Sequence, residues 1–122
     1  MLHVGHVNIL RRASELCDEL VVGVPSDKVV FQDKNRLPVI PLKERILMLE
    51  SLRYVSTAIS YDTLDFLGNL FAICPDIIFV GDTWGSEQRH LDLEAWVTNN
   101  NKRLIRIPYT QGVSTTDIRG RL

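Results

Sequence analysis

Two histidines flank a glycine near the start of the chain, His3-Val4-Gly5-His6, and they open a segment that reads as a helix. From Val7 onward Ile9, Leu10, Ala13, Leu16 and Cys17 recur at helical spacing on one side, with Arg11, Arg12, Glu15, Asp18 and Glu19 on the other. The imidazoles therefore sit three positions apart at a helix N-terminus, where free backbone N–H groups and the positive end of the dipole favour an anion. Gly5 has no side chain to hold a phosphate away from the backbone. Two such rings can donate hydrogen bonds to a phosphate oxygen and to the bridging oxygen of a departing pyrophosphate, so phosphoryl chemistry is the expected use. Histidines near a chain start also serve as caps or surface groups, and the motif needs support from elsewhere.

Three further segments carry chemistry. The polar run Gln32-Asp33-Lys34-Asn35-Arg36 leads into Pro38-Val39-Ile40-Pro41 and reads as a loop. It is either simply solvated or a basic flap that brings Lys34 or Arg36 onto a phosphate. Gly81-Asp82-Thr83-Trp84-Gly85 follows an apolar run; Trp84 reads equally as a loop anchor or a stacking residue, and Asp82 as a turn cap or a ligand contact. Gly112-Val113 precedes Ser114-Thr115-Thr116-Asp117, a Ser-x-x-Asp start signal whose geometry suits both helix capping and phosphate binding. His90, between Arg89 and Leu91, reads as an ordinary surface residue. No nucleophile–base arrangement or metal-ligand cluster stands in motif context. Cys17 and Cys74 lack metal-type or redox-type spacing and read as reduced structural thiols.

These segments need a frame to bring them together. Short apolar runs at 20–24, 57–61, 77–80 and 104–107 predict strands, the first and third unbroken as in sheets covered on both faces. Helical spacing predicts helices over 42–52, 64–73, 87–99 and a closing one from Ser114 to Leu122, and Cys74-Pro75 stops the second of these. Regular alternation of helix and strand predicts an α/β fold with a mainly parallel sheet. Ligands in such sheets bind beyond the carboxyl ends of the strands. Lys34 and Arg36, Asp82 and Trp84, and residues 112–116 all fall in carboxyl-end loops.

The 122 residues suit one domain, and 45% hydrophobic with 24% charged residues suits a globular protein. A formal net charge of −1 offers no general attraction to nucleic acid or an anionic membrane, so basic residues should act locally. No leader-like segment or long apolar run stands out, and the expectation is a cytoplasmic protein.

His3-Val4-Gly5-His6, Glu44-Arg45 opening a helix that ends Arg53-Tyr54-Val55, Gly81-Asp82-Thr83-Trp84, and residues 110–116 occur in one order along the chain. With these four motifs, residues 2–122 resemble the nucleotidyltransferase family marked by His-x-Gly-His, in particular its small cytidylyltransferase branch. That branch contains glycerol-3-phosphate and, as close relatives, ethanolamine-phosphate cytidylyltransferases. The resemblance implies a Rossmann-like, doubly wound parallel sheet and transfer of CMP from CTP to a small phosphate monoester, with glycerol 3-phosphate favoured and pyrophosphate released. It implies that His3 and His6 contact the triphosphate and stabilise the pentacoordinate transition state, with Lys34 or Arg36 reaching the phosphates. Gly5, Gly81, Asp82, Gly112, Ser114, Thr115 and Thr116 would bind the nucleotide, and Arg36, Arg45 and Trp84 the second substrate. Mg²⁺ would arrive on the triphosphate, and Arg53-Tyr54-Val55 would belong to a homodimer interface.

Two departures from the family pattern shape the expectation. The family places a buried strand and a Gly-Thr-Phe-Asp-type turn before its first histidine, and the present sequence has neither. The expectation is a fragment, or a start at a misplaced Met1, whose sheet lacks its first strand. Buried N–H and C=O groups would then go unpaired at roughly 1–3 kcal/mol each. Tyr109 stands where the cytidylyltransferases usually carry Arg, which keeps ATP beside CTP and an adenylyltransferase acting on a sugar phosphate as the alternative. A nucleotide-binding module without turnover is the reading from a different class.

Overall fold

The computed structural model describes residues 4–63, 66–82, 84–85 and 87–108. They form α1 (Val4–Ser14), β1 (Val21–Pro25), α2 (Asp27–Lys34), α3 (Leu42–Glu50), β2 (Thr57–Tyr61), α4 (Phe66–Ile73), β3 (Ile77–Val80), α5 (Gln88–Asn99) and β4 (Arg103–Arg106). β1 pairs with β2 in parallel, Val21 opposite Thr57, and β3 pairs with β4 in parallel, Ile77 opposite Arg103. The fold is α/β and Rossmann-like, with its parallel strands in two two-stranded sheets.

Local chemistry explains where the elements stop. α4 ends as Cys74 adopts a left-handed φ of 52° ahead of Pro75, which cannot continue a helix. Asn101, at φ 56°, reverses the chain after α5, and the Lys102 N–H returns to the Val97 carbonyl at 2.9 Å. α1 is shorter than its apolar pattern predicts. The Ser14 hydroxyl donates to the Arg11 carbonyl at 2.6 Å and Leu16 N–H to the Ala13 carbonyl at 3.0 Å, so the last turn tightens and Leu16 is exposed.

The segment read as a loop around residues 32–36 is a correction: residues 27–34 are helical. Ser26 caps α2 by accepting from Val29 N–H at 3.2 Å, Val29 is buried, and Asn35 closes the helix at φ 55°. Lys34 is the exposed last residue of α2, and Arg36 follows the left-handed Asn35 in an exposed segment.

Two small cores hold the layers. Ala13, Leu20 and Ile107, with Ile9, Leu10, Val22, Phe79 and Ile105 against them, pack α1 across both sheets. Leu93, Trp96 and Val97 of α5, with Leu70, Ile78, Trp84 and Leu104, cover the other face of β3–β4. Ile78 and Phe79 thus point to opposite faces, as successive strand residues must. Between the sheets runs a cleft of about 1230 Å³, walled by residues 20–23, residues 76–80 and Ile9, Leu10 and Ala13 of α1. Among the described residues neither β1 nor β3 has a strand on its second side.

Candidate active site

Six residues separate α1 from β1, so the chain reverses and the first turn of α1 lies toward the carboxyl ends of the strands. That turn holds Gly5, buried, and His6, half-buried. His3, Tyr109, Gly112, Ser114, Thr115 and Thr116 lie outside the described residues.

The ends of β1 and β2 are tied by polar contacts. Ser26 N–H donates to the Tyr61 carbonyl at 2.9 Å, and its hydroxyl donates to Asp62 Oδ1 at 2.7 Å. Arg45, assigned by resemblance to substrate binding, has its guanidinium turned to the protein itself. Nη1 donates to the Pro25 carbonyl at 2.7 Å, Nε to the Ile40 carbonyl at 3.0 Å, and Nη2 to Asp27 Oδ1 at 2.6 Å. Asp27 Oδ1 also accepts from Leu42 N–H at 3.1 Å, so one pair locks α2, α3 and the end of β1 together. Replacing Arg45 by methionine strands these acceptors in a partly buried place, and unfolding in urea is expected to show a loss of roughly 1.5–3 kcal/mol. An unchanged urea midpoint would reject the locking role.

The second half of the site is the turn after β3. Trp84 N–H donates to the Gly81 carbonyl at 3.3 Å, Gly81 is half-buried and Asp82 is exposed. Trp84 packs on Leu93, Trp96 and Val97, which gives the loop-anchor reading a physical basis. His90 corrects the surface expectation: it is buried at 6% exposure and stacks on Trp84 with ring centroids 3.9 Å apart. The signal in the sequence was its place three residues after Glu87, the third helical position, where a side chain reaches back to the cap N–H. Arg106, unremarked in the sequence, donates from Nη1 to the Asp82 carbonyl at 2.9 Å. Only its position at the end of a strand could have pointed to it.

An ion pair joins the two halves. Arg89 Nη2 of α5 lies 3.4 Å from Asp33 Oδ1 of α2, and Arg89 Nε lies 2.7 Å from Glu87 Oε2. Asp33 stands in the helix after β1 and Arg89 in the helix after β3, so the pair links the segments that follow these two strands. Tyr61, at the end of β2, feels both halves: burial pushes its phenol up, Arg89 opposes this, Asp33 adds to it, and Arg45 opposes it again. Burial likewise pushes the Cys17 thiol up, with Asp18 adding to the rise, and its Sγ–H donates to the Ala13 carbonyl at 3.3 Å. The result is a rim with helix N-termini, charged side chains of both signs and an indole, suited to orienting a phosphorylated substrate rather than to nucleophilic attack by the protein.

The family described as cytidylyltransferase-like matches residues 1–121. Ethanolamine-phosphate cytidylyltransferase of Arabidopsis thaliana is 39% identical over 127 residues, covering 100% of this chain. The chain spans 30% of that protein's length. FAD synthase of Thermococcus sibiricus is 37% identical over 116 residues, covering 89% of this chain and 74% of its own. Among solved structures, the lipopolysaccharide core biosynthesis protein of Thermoplasma volcanium GSS1 shares the fold at a TM-score of 0.73 and 24% identity, over 90% of this chain and 88% of that one.

Proposed function

The chain belongs to the cytidylyltransferase-like family, and from that premise we propose that it transfers a nucleotidyl group from a nucleoside triphosphate to a small phosphate monoester. The favoured pair is CTP and glycerol 3-phosphate. The feature that carries this is the Gly5–His6 turn at the start of α1, which the short connection to β1 turns toward the strand ends, where Asp82 and Trp84 follow β3. An acceptor phosphate oxygen attacks the α-phosphorus, the bond from that phosphorus to the bridging oxygen breaks, and pyrophosphate leaves with the electron pair. His3 and His6 hold the phosphate oxygens as negative charge builds, while the N-terminus of α1 adds its dipole. Lys34 and Arg36 approach the phosphates from the end of α2, and residues 112–116 grip the nucleotide. Asp82 and Trp84 border the base or the acceptor.

Among the described residues no three His, Cys, Asp or Glu side chains converge as a metal site. In this reading Mg²⁺ arrives on the triphosphate, where it would neutralise phosphate charge. Leu47 and Met48, exposed on α3, and Arg53 stacked at 5.0 Å over the Tyr54 ring support a homodimer through this face. No helix among the described residues is long and apolar enough to cross a membrane.

Adenylyl transfer is the second reading, favoured by Tyr109 and by the FAD synthases among the relatives. Pyrophosphate release is to be measured with CTP and ATP against glycerol 3-phosphate, ethanolamine phosphate, a sugar phosphate and FMN. CTP with glycerol 3-phosphate is expected to be fastest. Ethanolamine phosphate as the best acceptor would keep the cytidylyl class and change the acceptor, and preference for ATP would move the chain to the second reading. Calorimetric binding of a nucleotide without release would make it a module that no longer turns over.

A further inference from the structure

His90 has no part in the proposed transfer chemistry, yet among the described residues it is the polar side chain in the buried core. Its Nδ1 accepts two backbone N–H groups, from Gly85 at 3.0 Å and from Glu87 at 3.3 Å. Both bonds converge on that one ring nitrogen. The same ring lies on the Trp84 indole, with planes 28° apart. Glutamate or glutamine, the common residues at this helical position, would satisfy the cap N–H without a ring to stack. Phenylalanine would stack without an acceptor. Imidazole does both.

The turn is also held from its other side. Arg106 Nη1 reaches the carbonyls of Asp82 at 2.9 Å and Gly81 at 3.4 Å. Gly85 has φ +121°, and a Cβ there would sit 3.4 Å from Arg106 Nη2, so the backbone passes close under the guanidinium in a conformation that glycine alone adopts readily. α5 and β4 thus grip Gly81, Asp82, Trp84 and Gly85 between them. We infer that His90 is a positioning residue: through one acceptor and one stacked face it fixes Gly85 and Trp84, and with them the turn that meets substrate, and so sets substrate affinity. This rests on the proposal that the Asp82–Trp84 turn borders the substrates.

The test compares two replacements. His90→Phe keeps a stacked ring and removes the acceptor; His90→Asn places an amide oxygen near the position of Nδ1. In the parent, His90→Phe is expected to raise KM for the triphosphate or the acceptor about tenfold with kcat changed less than about threefold, and His90→Asn to recover most of the loss. In a Trp96→Phe background Trp84 is the remaining tryptophan, and His90→Phe is expected to increase its quenching by acrylamide while circular dichroism shows the helices retained. A folded His90→Phe with unchanged KM and unchanged quenching would overturn the inference, as would Asn and Phe variants with equal losses. Should the parent release no pyrophosphate with any triphosphate, the proposed reaction fails. Quenching of Trp84 then decides the clamp by itself: unchanged exposure overturns it, and increased exposure upholds it.

Discussion

His6→Ala is expected to slow nucleotidyl transfer about 10²–10³-fold at saturating substrates, with the fold intact, and His3→Ala is expected to do the same. Both rings are proposed as donors to oxygens that gain charge as the α-phosphorus becomes pentacoordinate, and losing one such donor raises a barrier by roughly 2.7–4 kcal/mol. His6 lies half-buried in the first turn of α1 beside buried Gly5, where the helix end already favours an anion and little water competes. The two rings stand only three residues apart in the sequence, close enough for both to attend one triphosphate. The double variant should lose less than the product of the single losses, because two groups that act on one transition state do not contribute independently. Single-turnover pyrophosphate release with circular dichroism on the same samples is the measurement. Near-normal rates in both single variants would contradict the assignment.

The second large effect concerns stability. An apolar strand of about five residues, fused ahead of Leu2 through a short turn, is expected to enter the cleft between β1 and β3 and raise stability by several kcal/mol. α1 runs back against the strands, so a strand joined to its start by a connection of roughly 2–6 residues would run parallel to β1 and β3. The cleft is walled by residues 20–23 and 76–80 and by Ile9, Leu10 and Ala13. A strand there would gain hydrogen bonds on both edges and bury side chains on both faces, at a cost of about 1–2 kcal/mol per residue in backbone order. Two strand spacings of about 4.8 Å would then separate β1 from β3. The urea midpoint should rise and amide exchange at residues 21–24 and 77–80 should slow. An unchanged midpoint with fast exchange at both edges would show that the cleft does not take a strand.

Much of the frame could be read from the chain. The spacing of Thr57–Tyr61 and Ile77–Val80 predicted β2 and β3 at their observed bounds, and β1 and β4 came within one residue. Unbroken apolar runs of that length suit covered parallel strands and little else. α2 escaped because its eight residues carry only a short apolar patch, and Lys28, Gln32, Asp33 and Lys34 gave it the composition of a loop. Its Ser26 cap and its Asn35 stop were present, and capping chemistry outweighed average polarity. At the site, the motif residues could be named but not what they touch. The Arg45 guanidinium bonds to Pro25, Ile40 and Asp27, contacts its spacing did not foretell, while His90 looked exposed and is buried. Type and spacing do not encode which of two possible partners, ligand or protein, is nearer.

The split of the sheet bears on how the chain reaches this shape. Each ladder closes within one contiguous stretch, 21–61 for β1 with β2 and 77–106 for β3 with β4. A closure within one half costs less chain entropy than one that reaches across both. Neither half needs the other's strands to form its own ladder, so order can be gained and lost half by half, with α1 docking across both as the joining step.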